Sequence, residues 1–170
     1  WQEALDVNRS LRKLFPKDPD TLNRLGEAFS KLDSVPDAND AFESAAKSKQ
    51  YRTENTKRAI LLARQTSWQE AVKVNADITA DFPWDLEAYN RLGKAFSELG
   101  KFSEAKNAFE CSIALSPNNA IAQKNLERVS KLLDQNPCIE TKRDNKKHSF
   151  IEDGGKTGVT ILVDLASSDT

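Results

Sequence analysis

The four residues Trp1-Gln2-Glu3-Ala4 return as Trp68-Gln69-Glu70-Ala71, 67 positions later. At the same offset and without a gap, Phe15-Pro16 matches Phe82-Pro83, and Asn23-Arg24-Leu25-Gly26 matches Asn90-Arg91-Leu92-Gly93. Ala28-Phe29-Ser30 likewise matches Ala95-Phe96-Ser97, and Ala41-Phe42-Glu43 matches Ala108-Phe109-Glu110. A duplication this long and free of insertions specifies a repeat architecture. In such a chain each unit buries its apolar face only against its neighbours.

The 67-residue unit itself halves. Ala4, Ala38, Ala71 and Ala105 follow one another at steps of 34, 33 and 34, and Pro16, Pro83 and Pro117 keep the same beat more loosely. A period near 34 lies in the helical-repeat range. Each period reads as two helices. Leu22, Leu25, Gly26, Phe29 and Leu32 recur at spacings of three and four, the mark of an amphipathic helix. The turn Asp33-Ser34-Val35-Pro36 follows, and then a second stripe of Ala38, Ala41, Phe42 and Ala45. The third period repeats the order with Tyr89, Leu92, Gly93, Phe96 and Leu99, a Gly100 stop, then Phe102, Ala105, Ala108 and Phe109. Strand-like alternation is missing before residue 159, so residues 1–134 are expected to be helical.

These residues resemble the tetratricopeptide repeat family. Its pattern runs large, Leu, small, aromatic along the first helix and small, aromatic, small along the second, with Pro near the end. Residues 19–52 supply Leu22, Leu25, Gly26, Phe29, Ala38, Phe42 and Ala45 but lack the final Pro. Residues 86–119 supply Tyr89, Leu92, Gly93, Phe96, Ala105, Phe109 and Pro117, with Ser112 as the last small residue. Residues 52–85 are a weaker copy, with Arg58 where Leu is expected and Asn75 where an aromatic is expected. Residues 1–18 read as the second helix of a repeat. Residues 119–134 read as a capping helix with Leu126, Val129, Leu132 and Leu133 toward the stack. The resemblance implies an all-α fold, a right-handed α-α superhelix of about three and a half repeats.

The ends of the chain differ from the array. The first helix carries Ala4, Val7, Leu11 and Leu14 on one face. Burying an apolar side chain is worth about 1.5–3 kcal/mol, so an upstream helix is expected, or self-association through this N-terminal half repeat. Residues 135–157, with Lys142-Arg143-Asp144-Asn145-Lys146-Lys147 and Gly154-Gly155, read as linker. Val159-Thr160-Ile161-Leu162-Val163 is strand-like, and a lone strand is not stable. Residues 158–170 are therefore expected to begin a second domain, nucleic-acid-binding or catalytic in the alternative reading.

Composition narrows the function. The net charge is −1 with 30% charged residues, so nothing draws the whole chain to nucleic acid or an anionic membrane. Apolar runs fall far short of a membrane span. Cys111 and Cys138 read as free thiols of a reducing compartment, and the cytoplasm is the expected location. No converging catalytic set, cofactor motif or metal site is found. His148 is a solvated linker residue, and Gly154-Gly155-Lys156-Thr157 lacks the earlier glycine and strand of a phosphate loop. The expectation is therefore a non-catalytic scaffold that binds a protein or peptide.

In the family the leading helices line the concave surface. The resemblance places Asn23, Arg24 and Glu27, then Lys57 and Arg64, then Asn90, Arg91 and Lys94 beside the packing stripe and in that groove. Arg offers a planar fork to carboxylates, and Asn can bond an extended backbone. Arg24 and Arg91 are expected to point outward at equivalent sites. The family's carboxylate clamp is not reproduced. Only Arg91 agrees with it, and Glu27 and Glu87 would repel a carboxylate, so chaperone-tail binding is not expected.

Overall fold

A computed structural model describes residues 1–135. It consists of α1 (Gln2–Leu14), α2 (Pro19–Lys31), α3 (Val35–Arg64), α4 (Trp68–Asp81), α5 (Leu86–Glu98), α6 (Phe102–Leu115) and α7 (Ala120–Gln135), with no strand among the described residues. The linker expected to follow, the strand-like run from 158, Cys138 and His148 lie outside the described residues.

Three of the junctions between periods are built alike. Pro16, Pro83 and Pro117 are each followed two residues later by Asp18, Asp85 or Asn119. Proline cannot continue the preceding helix, and the following side chain caps the next one. Asp18 accepts from Thr21 N at 2.9 Å, Asp85 from Ala88 N at 2.9 Å, and Asn119 from Ala122 N at 3.1 Å.

The remaining junction has Gln50 and Arg52 in those two places. Neither stops a helix nor caps one. The trailing helix of residues 19–52 and the leading helix of residues 52–85 are therefore one helix, the 30-residue α3, about 45 Å long. The expected turn at residue 52 does not occur. The missing final Pro was visible in the sequence, and the structure gives its consequence.

Inside the periods the turns are regular. Asp33, Thr66 and Gly100 each adopt a left-handed backbone, with φ of 56°, 58° and 69°. Glycine does so without steric cost, whereas Thr66 is held there by the turn.

The helices pack in sequence, α1 on α2, α2 on α3, and so on to α6 on α7. Among the described residues the core falls into three clusters. Leu5, Leu25, Ala28 and Ala41 form the first, and Ala59, Val74, Ile78, Phe82 and Ala88 the second. Ala105, Phe109 and Val129 form the third, with Leu126 and Leu133 against it. Ala59, fully buried, takes the place of Leu25 and Leu92, while Arg58 is exposed. The weaker copy is thus shifted by one residue from the register expected for it.

Gly93 is required by contact, because a Cβ there would lie 2.7 Å from the Phe109 ring. Gly26 stands in the same relation to Phe42. In the middle repeat the sizes reverse, with Ile60 on the leading helix and Asn75 on the trailing one.

The midpoint of α3 is a waist where two distant junctions meet. Phe15 packs edge-on to Trp84 at 5.5 Å, and Phe82 to Trp84 at 6.1 Å. Lys17 lies over the Tyr51 ring at 4.7 Å and pairs with Asp81 at 2.6 Å. The Ser48 hydroxyl donates to the Lys17 carbonyl.

Candidate functional site

The residues expected in the groove are not equally placed. Asn23, Arg24 and Glu27 are exposed on α2, and Lys57 and Arg64 are exposed on α3. Lys94 is exposed on α5 and bonds Glu98 one turn along, while Asn90 and Arg91 are half-buried. Only Lys57 and Arg91 are brought together. They line a cleft of about 450 Å³ between α3 and α5, with Pro19 of α2 also in its wall. Lys49, Arg52, Thr53, Thr56, Asp85 and Glu87 complete its wall.

Arg24 and Arg91 turn out not to be equivalent. Arg91 Nε donates to Asn75 Oδ1 at 2.9 Å, and Asn75 Nδ2 donates in turn to the Ala71 carbonyl at 2.8 Å. The matching Asn8 makes the same bond to the Ala4 carbonyl at 2.8 Å, but its Oδ1 is buried without a partner and Arg24 stays in solvent. The difference comes from neighbours. The leading half of α3 walls Arg91 in beside α5, whereas among the described residues no such helix lies beside α2. Burial draws the Arg91 guanidinium below its ordinary pKa, opposed by Asp85 and Glu87. Its Nη2 is buried with no hydrogen-bond partner among the described residues.

Lys49, Arg52 and Asp85 were absent from the sequence expectation. Arg52 Nε bonds the buried Asp85 carboxylate at 2.9 Å, and its guanidinium lies 5.7 Å from the Phe82 ring centre. A signal for Arg52 existed, since a cation stands where the other junctions carry Asp18, Asp85 and Asn119. The cleft holds four cations against two carboxylates, and Arg52 neutralises one of those. Among the described residues, Lys49 and Lys57 have no ion-pair partner. The arrangement offers charge-assisted hydrogen bonds to carboxylates of a bound chain.

Elsewhere the chemistry is sparse. No group of three or more His, Cys, Asp or Glu able to hold a metal occurs among the described residues. No described helix is long and apolar enough to cross a membrane. Trp1 before α1 and Val7 and Leu14 on it are exposed, while Leu5 turns toward α2. Cys111 is a free, half-buried thiol on α6 whose pKa is raised by burial and by the Glu110 carboxylate. The thiolate is the reactive form. In a Cys138→Ser chain, iodoacetamide at pH 8 should therefore alkylate Cys111 several times more slowly in buffer than in urea. Equal rates would mean the thiol is not shielded.

Residues 86–119 match the family model of the tetratricopeptide repeat. Among curated proteins none matches the chain. Solved structures do. The first TPR domain of the human RPAP3 protein is 26% identical, with a TM-score of 0.50, over 72% of this chain and 97% of that one. The first TPR of Spaghetti (RPAP3), bound to the HSP90 peptide SRMEEVD, is 26% identical over 69% and 94%, with a TM-score of 0.49. The Arabidopsis OM64 TPR domain is 24% identical over 66% and 94%, with a TM-score of 0.46. Residues 86–119 are thus a tetratricopeptide repeat, its Gly93–Phe109 contact recurs at Gly26 and Phe42, and the helix pairs of the chain are folded similarly to the RPAP3 TPR domain.

Proposed function

We propose that the chain is a non-catalytic interaction scaffold that binds an extended, acidic segment of a partner protein in the cleft between α3 and α5. The observation that carries this reading is the cleft's composition: Lys49 and Lys57 at its edge and Arg91 Nη2 in its wall, each without a partner among the described residues, against Glu87 as the one lining carboxylate that Arg52 does not neutralise. The leading helices of the array give a rigid wall, so little ordering cost falls on the scaffold when a segment binds. Pairing with Lys49 and Lys57 at the rim supplies attraction and register, while Arg91 supplies a directed donor. Arg91 is a poor residue to substitute in a test, because it also satisfies Asn75.

The test uses three fluorescein-labelled decapeptides with the same apolar residues and with acidic, neutral or basic side chains between them. The acidic peptide is expected to bind best, and more weakly as salt rises. Reversing both lysines, Lys49→Glu with Lys57→Glu, should weaken it by about tenfold or more, equivalent to ~1.4 kcal/mol or above. Equal binding of the three peptides, or no response to the double reversal, would remove the cleft from consideration.

A further inference from the structure

Along the array each leading helix lies against the trailing helix before it: α2 on α1, α5 on α4, α7 on α6. The α3 helix breaks this rule twice. Its N-terminal half is a trailing helix that pairs with α2 but has no leading helix of the following repeat folded back upon it. Its C-terminal half, from residue 53, is a leading helix that pairs with α4 but does not lie against the trailing helix before it, because it continues straight on from that helix.

The internal duplication shows what is missing. Phe109 on α6 is 1% exposed, within a cluster that includes Val129, Leu126 and Leu133 of α7. Its counterpart Phe42 is 39% exposed. On the other half of α3, Ile60 is also 39% exposed and Leu61 is 53% exposed. Phe42, Ala46, Lys49, Thr53 and Ile60 follow at helical spacing and form one exposed stripe. The stripe is symmetric about Tyr51, with Phe42 and Ile60 each nine residues away and Lys49 and Thr53 each two away. A recess of about 380 Å³ marks its middle, between Ala46, Lys49 and Lys57.

We infer that a second copy of this chain packs antiparallel along α3, about a two-fold axis at the level of residue 51 that passes between Lys49 and Thr53, on the face opposite the Tyr51 ring. The leading half of α3 in the second copy covers Phe42 as α7 covers Phe109, and Phe42 of the second copy covers Ile60. A two-fold interface uses the same patch on both copies. This patch is complementary to itself, a trailing face at one end and a leading face at the other. An unrelated partner would have to supply both halves separately.

The test is sedimentation equilibrium of the full chain. A dimer is expected, with Phe42→Asp and Ile60→Asp each raising its dissociation constant by about tenfold or more. Far-UV circular dichroism checks that both variants remain helical. If Phe42→Asp unfolds, the Ile60→Asp result stands alone, since Ile60 touches no core cluster. Geometry is checked by Phe42→Cys with Ile60→Cys in a chain carrying Cys111→Ser and Cys138→Ser. Mild oxidation should link two chains, because within one helix these sites stand about 27 Å apart, beyond disulfide reach. A monomer at every concentration overturns the inference. So does a dimer that ignores Ile60→Asp and forms no crosslink, or one lost instead on Val7→Asp, which assigns association to α1. Lys49, Thr53 and Lys57 border both this face and the peptide cleft. Peptide binding is therefore also measured on Ile60→Asp, where binding by a monomer keeps the cleft reading separate.

Discussion

Phe109→Ala should lower the free energy of unfolding by about 3–5 kcal/mol, as expected for a fully buried phenylalanine whose site cannot collapse. The ring lies on Gly93 and is enclosed between α5, α6 and α7. Removing it opens a cavity lined by Ala105 and Val129, neither of which can extend to fill it. The same substitution at Phe42 should cost only roughly 1–2 kcal/mol, because much of that ring already faces water and less transfer energy is lost. The two residues occupy identical places in a 67-residue duplication and each lies on a glycine. Urea unfolding of the two variants at low protein concentration would decide the matter. Equal losses would mean that Phe42 is covered within the single chain, and that α3 folds back at its midpoint.

That contrast also shows how far sequence reasoning reaches. The helical hairpins follow from periodicity, and the small-on-aromatic contacts follow from the family pattern. Both depend on spacing within a unit, which sequence states directly. The fused α3 depends on two substitutions at a junction, Gln50 for proline and Arg52 for a capping residue. Each looks unremarkable alone. Together they remove the helix stop and the helix start, and the absence of a terminator is harder to see than its presence.

The candidate site divides in the same way. Lys57 and Arg91 were expected in a groove, and they line one cleft. Asn23, Arg24 and Glu27, expected in the same groove, are exposed on α2 and do not line that cleft. Arg24 and Arg91 are identical in type and local context, so sequence treats them as one site. Among the described residues, α5 has a neighbour that α2 lacks, which makes Arg91 a structural partner of Asn75 and leaves Asn8 Oδ1 unpaired. Tertiary surroundings, not local pattern, decide which copy of a duplicated residue becomes part of a wall.

Asp85→Ala should cost about 2–4 kcal/mol, more than the ~1 kcal/mol expected of Asp18→Ala, although both remove the same cap. Asp18 serves α2 alone, accepting from Thr21 N and the Thr21 hydroxyl. Asp85 is 4% exposed and holds both Ala88 N and the Arg52 side chain, so its loss frees a helix end and strips a cation of its partner. Arg52 is partly exposed, and water offsets some of that second cost, which keeps the sum below a fully buried broken pair. Asp85→Asn retains a cap acceptor and should lose about half as much. The ordering in urea unfolding, Ala at 85 worst, then Asn at 85, then Ala at 18, requires Arg52 to face Asp85. It does so because residue 52 lies inside a continuous helix rather than in a turn. If Asp85→Ala and Asp18→Ala cost the same, Arg52 contributes nothing there, and the junction at residue 52 is an ordinary one.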